Sequence, residues 1–279
     1  MKRSILMVFP CLVLVSCWGR PTTNANDFDS EATEYSHRTL DEDFEGDTLD
    51  GRDYHFSSKD TPSSATKVHE LRDARTGLTV NSTEYPANWK VISKPSYTID
   101  QKLPTFLIQI TGPNGLKSFN TPIRYHVYYQ DSQMAQMMRN TPYGQLIRPL
   151  VDPEQIFNEE VKTRMVNSGF NFLGERKRPD LTQYLRNKLS SKSQMDTSLS
   201  MYDTEWENSS GQKAMASVSL ISMQQPTISG SMMVWFYSVD YTFVDGKAYE
   251  STLEHMKEAI FSYKENPQWE RYVAQLGQQ

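Results

Sequence analysis

Apolar residues fall along this chain in three regimes. Residues 5–15 read Ile-Leu-Met-Val-Phe-Pro-Cys-Leu-Val-Leu-Val with no charged interruption. From Trp18 to Lys67, Thr, Asn, Ser, Asp and Glu dominate and no apolar period is visible, so a disordered tether is expected there. Beyond Gly77 the pattern becomes that of a folded domain. Gly77-Leu78-Thr79-Val80 is its first strand signal, with β-branched and apolar residues replacing the polar run.

Strand signals then follow at short intervals. Tyr85-Pro86-Ala87-Asn88-Trp89-Lys90-Val91 combines turn and strand residues. Pro104 to Ile110 predicts a strand closed by the turn Gly112-Pro113-Asn114-Gly115, and Arg124 to Tyr129 predicts another. A helix is expected from Asp152, as N-cap, with Pro153 in the first position and Gly169 as the stop. Its Phe157, Val161 and Met165 recur every four residues. A shorter helix spans Asp180 to Leu189, with Leu181, Tyr184, Leu185 and Leu189 on one face. Strands at about Thr197–Glu207 and Lys213–Met223 flank the hairpin loop Asn208-Ser209-Ser210-Gly211. Ser231 to Phe243 reads as apolar on both faces, as a central strand would be. Tyr249 to Lys264 is a closing helix with Leu253, Met256, Ile260 and Tyr263 aligned, ended by Asn266-Pro267.

A meander, helices, a hairpin, a long central strand and a final helix predict an α+β domain, an antiparallel sheet with helices packed on it. This order, with the Tyr85–Val91 segment and the closing amphipathic helix, resembles the PsbP-like fold over about residues 78–264. That fold is known from photosystem II extrinsic subunits, a nuclear import factor and small bacterial lipoproteins.

The N-terminal run acquires a meaning from its flanks. Lys2 and Arg3 precede it, and it is too short to cross a bilayer as a helix, so it reads as the core of a secretion signal over residues 1–16. It ends at Leu14-Val15-Ser16-Cys17, which resembles the lipobox of bacterial lipoproteins: a branched apolar residue, a small residue before the cut, then cysteine. The resemblance implies cleavage before Cys17 and a diacylglycerol on its thiol. The alternative is an ordinary cleaved signal with incidental cysteines. The place of Cys17 at the end of the apolar run favours the lipobox.

Cysteine usage adds a constraint, since Cys11 and Cys17 are the two cysteines of the chain. The expected domain, residues 68–279, therefore has no disulfide, no thiol nucleophile and no zinc ribbon. Charge is equally uneven. Between Trp18 and Asp60, twelve acidic residues face Arg20, Arg38, Arg52 and Lys59, a net −8, whereas the whole chain carries −5. The acidity belongs to the lipidated tether, residues 17–67, and the rest of the mature chain is near neutral. A flexible coil of that length spans roughly 40 Å.

Few residues suggest chemistry. Signatures of serine hydrolases, P-loops, dinucleotide folds and zinc proteases are absent from the sequence, and Ser64-Ala65-Thr66-Lys67 matches S-x-x-K without its partner motifs. The five histidines are scattered singly. His126 reads as a strand residue with a satisfied hydrogen bond. Asp41 to Gly46 mimics a calcium loop, but Arg52 stands where a bidentate Glu is required.

Met134, Met137 and Met138 could offer thioethers to Cu(I), or form a packing stripe at helical spacing. Arg176, Lys177, Arg178, Arg186 and Lys188 make a basic region that could meet an anionic partner, or be a solvated helix face.

The sequence thus predicts a lipid-anchored envelope protein that binds or scaffolds a protein or cell-wall partner, with no cofactor and no nucleic acid. Trp18 after the cysteine resembles an outer-membrane address. An enzyme acting on envelope material, and an extracytoplasmic copper-binding protein, are the alternatives. A deep pocket gathering carboxylates with shifted pKa would favour the enzyme.

Overall fold

The computed structural model describes residues 65–97, 104–141, 144–190, 196–227 and 230–276. The signal segment, Cys17 and nearly all of the acidic tether lie outside the described residues. The domain is α+β, with an eight-stranded antiparallel sheet, a small three-stranded sheet and helices packed against them.

The large sheet is organised around two long strands, β9 (Gln212–Thr227) and β10 (Gly230–Asp245), paired along their whole length. β8 (Thr197–Asn208) pairs with β9, and β7 (Phe170–Glu175) forms one edge. On its other side β10 is shared by β6 (Arg124–Tyr129) and β5 (Lys117–Asn120). β4 (Pro104–Thr111) and β3 (Lys90–Tyr97) complete that side.

The expected hairpin is present, and its loop chemistry is visible. The Asn208 side chain accepts from the backbone of Ser210 and Gln212, and Gly211 adopts φ 78°, a conformation that suits glycine.

Strand alternation divides the core into two layers. Odd positions of β10, namely Trp235, Tyr237, Val239, Tyr241 and Phe243, face the segment that follows Asp152. That segment was expected as one regular helix capped by Asp152. It is instead α2 (Pro153–Ile156), a π-helical turn (Phe157–Val161) and α3 (Lys162–Asn167), and the Asp152 side chain makes no cap bond. The extra residue per turn lets Ile156, Phe157, Val161 and Met165 all reach the sheet, and places Glu160 to accept from the Tyr237 hydroxyl. Gly169, with φ 82°, ends the helix as expected.

The even face of β10 is covered by α4 (Pro179–Ser190), α5 (Tyr249–Ser262) and α6 (Pro267–Leu276). The small sheet orders β1 (Thr66–Arg72), β2 (Thr79–Pro86) and β11 (Lys264–Glu265). Two of these elements depart from expectation. The strands begin at Thr66, well before the Gly77 signal. Asn266-Pro267, expected as a terminator, also starts α6: Asn266 caps it by accepting from the Gln268 amide at 2.9 Å, and proline fits the first helical position.

Trp206, Trp235 and Trp269 are fully buried. Each satisfies its indole N–H, on the Thr204 hydroxyl, the Arg148 carbonyl and the Asp73 carboxyl respectively. At roughly 25 cal/mol per Å² and 150–250 Å² per ring, each contributes at most about 4–6 kcal/mol.

Candidate cavity between the sheet and helices α4 and α5

The even face of β10 is not apolar throughout, contrary to the sequence reading of Ser231–Phe243. Val234 and Phe236 are followed by Ser238, Asp240 and Thr242 before Val244. Register extends this polar interval across four strands. Asp203 on β8 pairs with Ser217 on β9, Ser217 with Asp240 on β10, and Asp240 with Asn120 on β5. Since neighbouring strands lie about 4.8 Å apart, the four side chains form one transverse row on a single face.

Above this row the helices do not close onto the sheet. A cavity of about 120 Å³ remains, roofed by Leu181 and Leu185 of α4 and by Met256, Ala259 and Ile260 of α5. Tyr85, Ile108, Ile110 and Ile221 are among its walls, so the lining is mostly apolar around a polar floor. The surrounding residues explain the gap. Serines at 217, 219 and 238 are too short to fill the space that Leu or Phe would occupy, and the helix side chains above them are already held by the rest of the core.

The floor groups differ in how they are satisfied. Arg178, just before α4, grips Asp203 with two parallel bonds, from Nε to Oδ2 and from Nη2 to Oδ1, both 2.8 Å. Its Nη2 also donates to Ser217 Oγ at 3.0 Å. Asp203 is only 4% exposed, so this is a desolvated, fork-shaped ion pair. Asn120 accepts from the Ile108 amide and donates to the Phe106 carbonyl, and the Ser118 and Thr242 hydroxyls bond each other at 2.9 Å.

Asp240 is different. Among the described residues no protein group hydrogen-bonds its carboxyl, which is half-buried and lines the cavity. Burial pushes its pKa up to about 7. The Arg178 charge opposes the shift, and the neighbouring Asp203 adds to it. A carboxyl that changes charge near neutrality therefore sits on the floor of an apolar chamber.

The expected basic patch is placed by alternation. Arg176 and Arg178 turn inward and Lys177 outward. Arg176 binds Glu205 at 2.7 Å and Glu250 at 2.8 Å, lying over the Tyr249 ring. Arg186 donates to the Leu199 carbonyl, and Lys188 lies 4.5 Å from the centroid of the Tyr263 ring. Four of these five cations thus contact other groups of the domain, with Arg186 still exposed.

The methionines lie on α1 (Ser132–Arg139), which buries no residue. Met134 and Met138 are half-buried, and Met137 is exposed. A packing stripe is therefore at most partial there. Among the described residues, no group of three or more His, Cys, Asp or Glu side chains is placed to hold a metal.

His126 also departs from expectation. Its ring lies tilted against Trp235 with centroids 4.4 Å apart, and neither ring nitrogen has a hydrogen-bond partner. The Leu146 backbone lies close enough to act on it, but outside hydrogen-bonding geometry. Burial and the Arg148 charge hold its pKa down at about 4, so it is neutral in the folded protein.

No known protein-family pattern matches the chain. No curated protein matches it. Among solved structures, LpqN, described as involved in cell envelope biogenesis of Mycobacterium tuberculosis, aligns over 72% of this chain and 92% of its own, at 9% identity and a TM-score of 0.26. Among the described residues, no helix is long and apolar enough to cross a membrane.

Proposed function

We propose that this chain is a lipid-anchored cell-envelope protein whose α+β domain binds an envelope component in the cavity over β8, β9 and β10. The observation that carries the binding half is the cavity itself, an apolar chamber whose floor holds one carboxyl without a hydrogen-bond partner among the described residues. Small-molecule sites share this composition: apolar walls set how much can enter, and a few polar groups set orientation.

The anchoring half is supported by the lipobox-like Leu14-Val15-Ser16-Cys17 and by the acidic tether behind it. A thioether-linked diacylglycerol at Cys17 would hold the domain at a membrane, since each buried methylene contributes about 0.8 kcal/mol. The tether's negative charge would keep the domain off an anionic surface. Trp18 supports an outer-membrane address, and the order of elements supports kinship with the PsbP-like fold.

An enzyme is the second reading, and Asp240 is the observation that favours it, because general acid–base groups are often tuned toward neutrality. Binding remains the better account. Among the described residues that line the cavity, no histidine, cysteine or lysine stands with Asp240, and Tyr85, the other acid in the lining, is pushed up to about 12 by burial.

Metabolic labelling tests the anchor. Cells expressing the full chain and fed labelled palmitate are expected to yield a labelled, membrane-bound product, and Cys17→Ser is expected to lose the label. Equal labelling of both, or of neither, would remove the anchor from this account.

A further inference from the structure

The transverse row has an unbalanced charge. Arg178 and Asp203 cancel within a bidentate pair, and the second Nη2 hydrogen of the guanidinium goes to Ser217. Asp240 lies next to that pair with no partner of its own among the described residues. Of the groups facing it, Arg178 offsets its charge but is already paired with Asp203, α4 and α5 contribute only Leu, Met, Ala and Ile to the lining, and the third ionisable lining residue, Tyr85, stays neutral. An ionised carboxylate there is a half-buried charge that Arg178, already paired with Asp203, offsets only in part.

Three head groups can be weighed against this floor. A carboxylate ligand would place a further negative charge beside Asp240 and Asp203, which repels it. A hydroxyl could share a hydrogen bond with the carboxyl but brings no positive charge to favour its ionised form. A protonated amine supplies both donors and the missing positive charge, and its alkyl chain matches the apolar roof. Resting on the reading of the cavity as a binding site, we propose that it takes an aliphatic primary amine, with the ammonium group on Asp240 and the chain beneath α4 and α5.

The proton balance follows. In the empty site near pH 6, Asp240 carries its proton and the amine in solution is already an ammonium ion. Binding forms the ammonium–carboxylate pair, and the carboxyl proton leaves to solvent. No bond to carbon is made or broken.

The test is calorimetric titration of the purified full chain, without added detergent, with octylamine, octanol and octanoate at pH 6 and pH 8. Octylamine is expected to bind at least about tenfold more tightly than octanol, a difference of about 1.4 kcal/mol, with octanoate weakest. At pH 6, buffers of different ionisation enthalpy should reveal release of about one proton for octylamine and none for octanol.

Asp240→Asn is expected to abolish the proton release and bring octylamine down to octanol. If octanol binds as tightly as octylamine, or Asp240→Asn keeps the amine preference, the ligand class is wrong while the cavity still stands as a binding site. If none of the three binds, both the ligand class and the cavity reading fall.

Discussion

Replacing Arg178 with leucine is expected to lower the free energy of unfolding by about 3–5 kcal/mol, the range for removing one partner of a buried ion pair. Among the described residues the guanidinium is the only cation on the cavity floor, and it makes three hydrogen bonds to Asp203 and Ser217. Without it Asp203, 4% exposed, becomes a second buried carboxyl facing Asp240. Chemical denaturation monitored by tryptophan fluorescence would measure the loss. The double variant Arg178→Leu with Asp203→Leu is expected to recover much of it, because removing both charges also removes the desolvation cost. A loss under 1 kcal/mol in the single variant would mean that Asp203 is not held as described.

Asp240→Asn is expected to act in the opposite direction, and only above acidic pH. The folded pKa, about 7, lies above the ordinary value of 3.8. The folded state therefore keeps its proton where the unfolded chain has lost it, and stability from this group falls as pH rises from about 4 to about 7. Above pH 7 the penalty is complete. At 1.36 kcal/mol per pH unit it reaches on the order of 4 kcal/mol, which the asparagine escapes.

Wild type and Asp240→Asn should thus unfold alike at pH 4, with the variant more stable by several kcal/mol at pH 8. Equal stability at both pH values would show that Asp240 is solvated. This cost is tolerable for a site that gains a counter-charge from its ligand.

Why such a floor escaped the sequence reading is instructive. The strand Ser231–Phe243 was recognisable from its apolar residues, and its place at the sheet centre followed. What hid the site is that period-2 alternation placed Ser238, Asp240 and Thr242 on one face while the aromatic residues of the other face dominated the composition. The polar row itself spans β8, β9, β10 and β5, so it exists only once register aligns residues more than a hundred positions apart. Hydrophobic period specifies which side of a strand is buried, but not which strand lies beside it.

The basic segment carried a signal that spacing alone could have exposed. Arg176 and Arg178 stand two apart, as do Asp203 and Glu205, and in extended chains such pairs project on the same side. Reading the cations as one patch ignored that alternation. The helical segment over residues 153–167 was legible from Pro153 at its start and Gly169 just past its end, whereas the π turn was not, because Phe157, Val161 and Met165 fit the i, i+4 rule in either geometry. α6 was missed because an Asn-Pro pair that stops one helix also starts another. The signal, Cys17 and the tether are legible only as sequence, since they lie outside the described residues.

The claim on which the functional account turns is that Asp240 is an unpartnered carboxyl waiting for a cation inside an apolar cavity. Nuclear magnetic resonance titration of its side-chain carboxyl carbon, with and without octylamine, tests it most directly. The expected result is a midpoint near 7 in the free protein, falling by at least about one pH unit when the amine is bound. A midpoint near 4 in the free protein, unmoved by the amine, would contradict it.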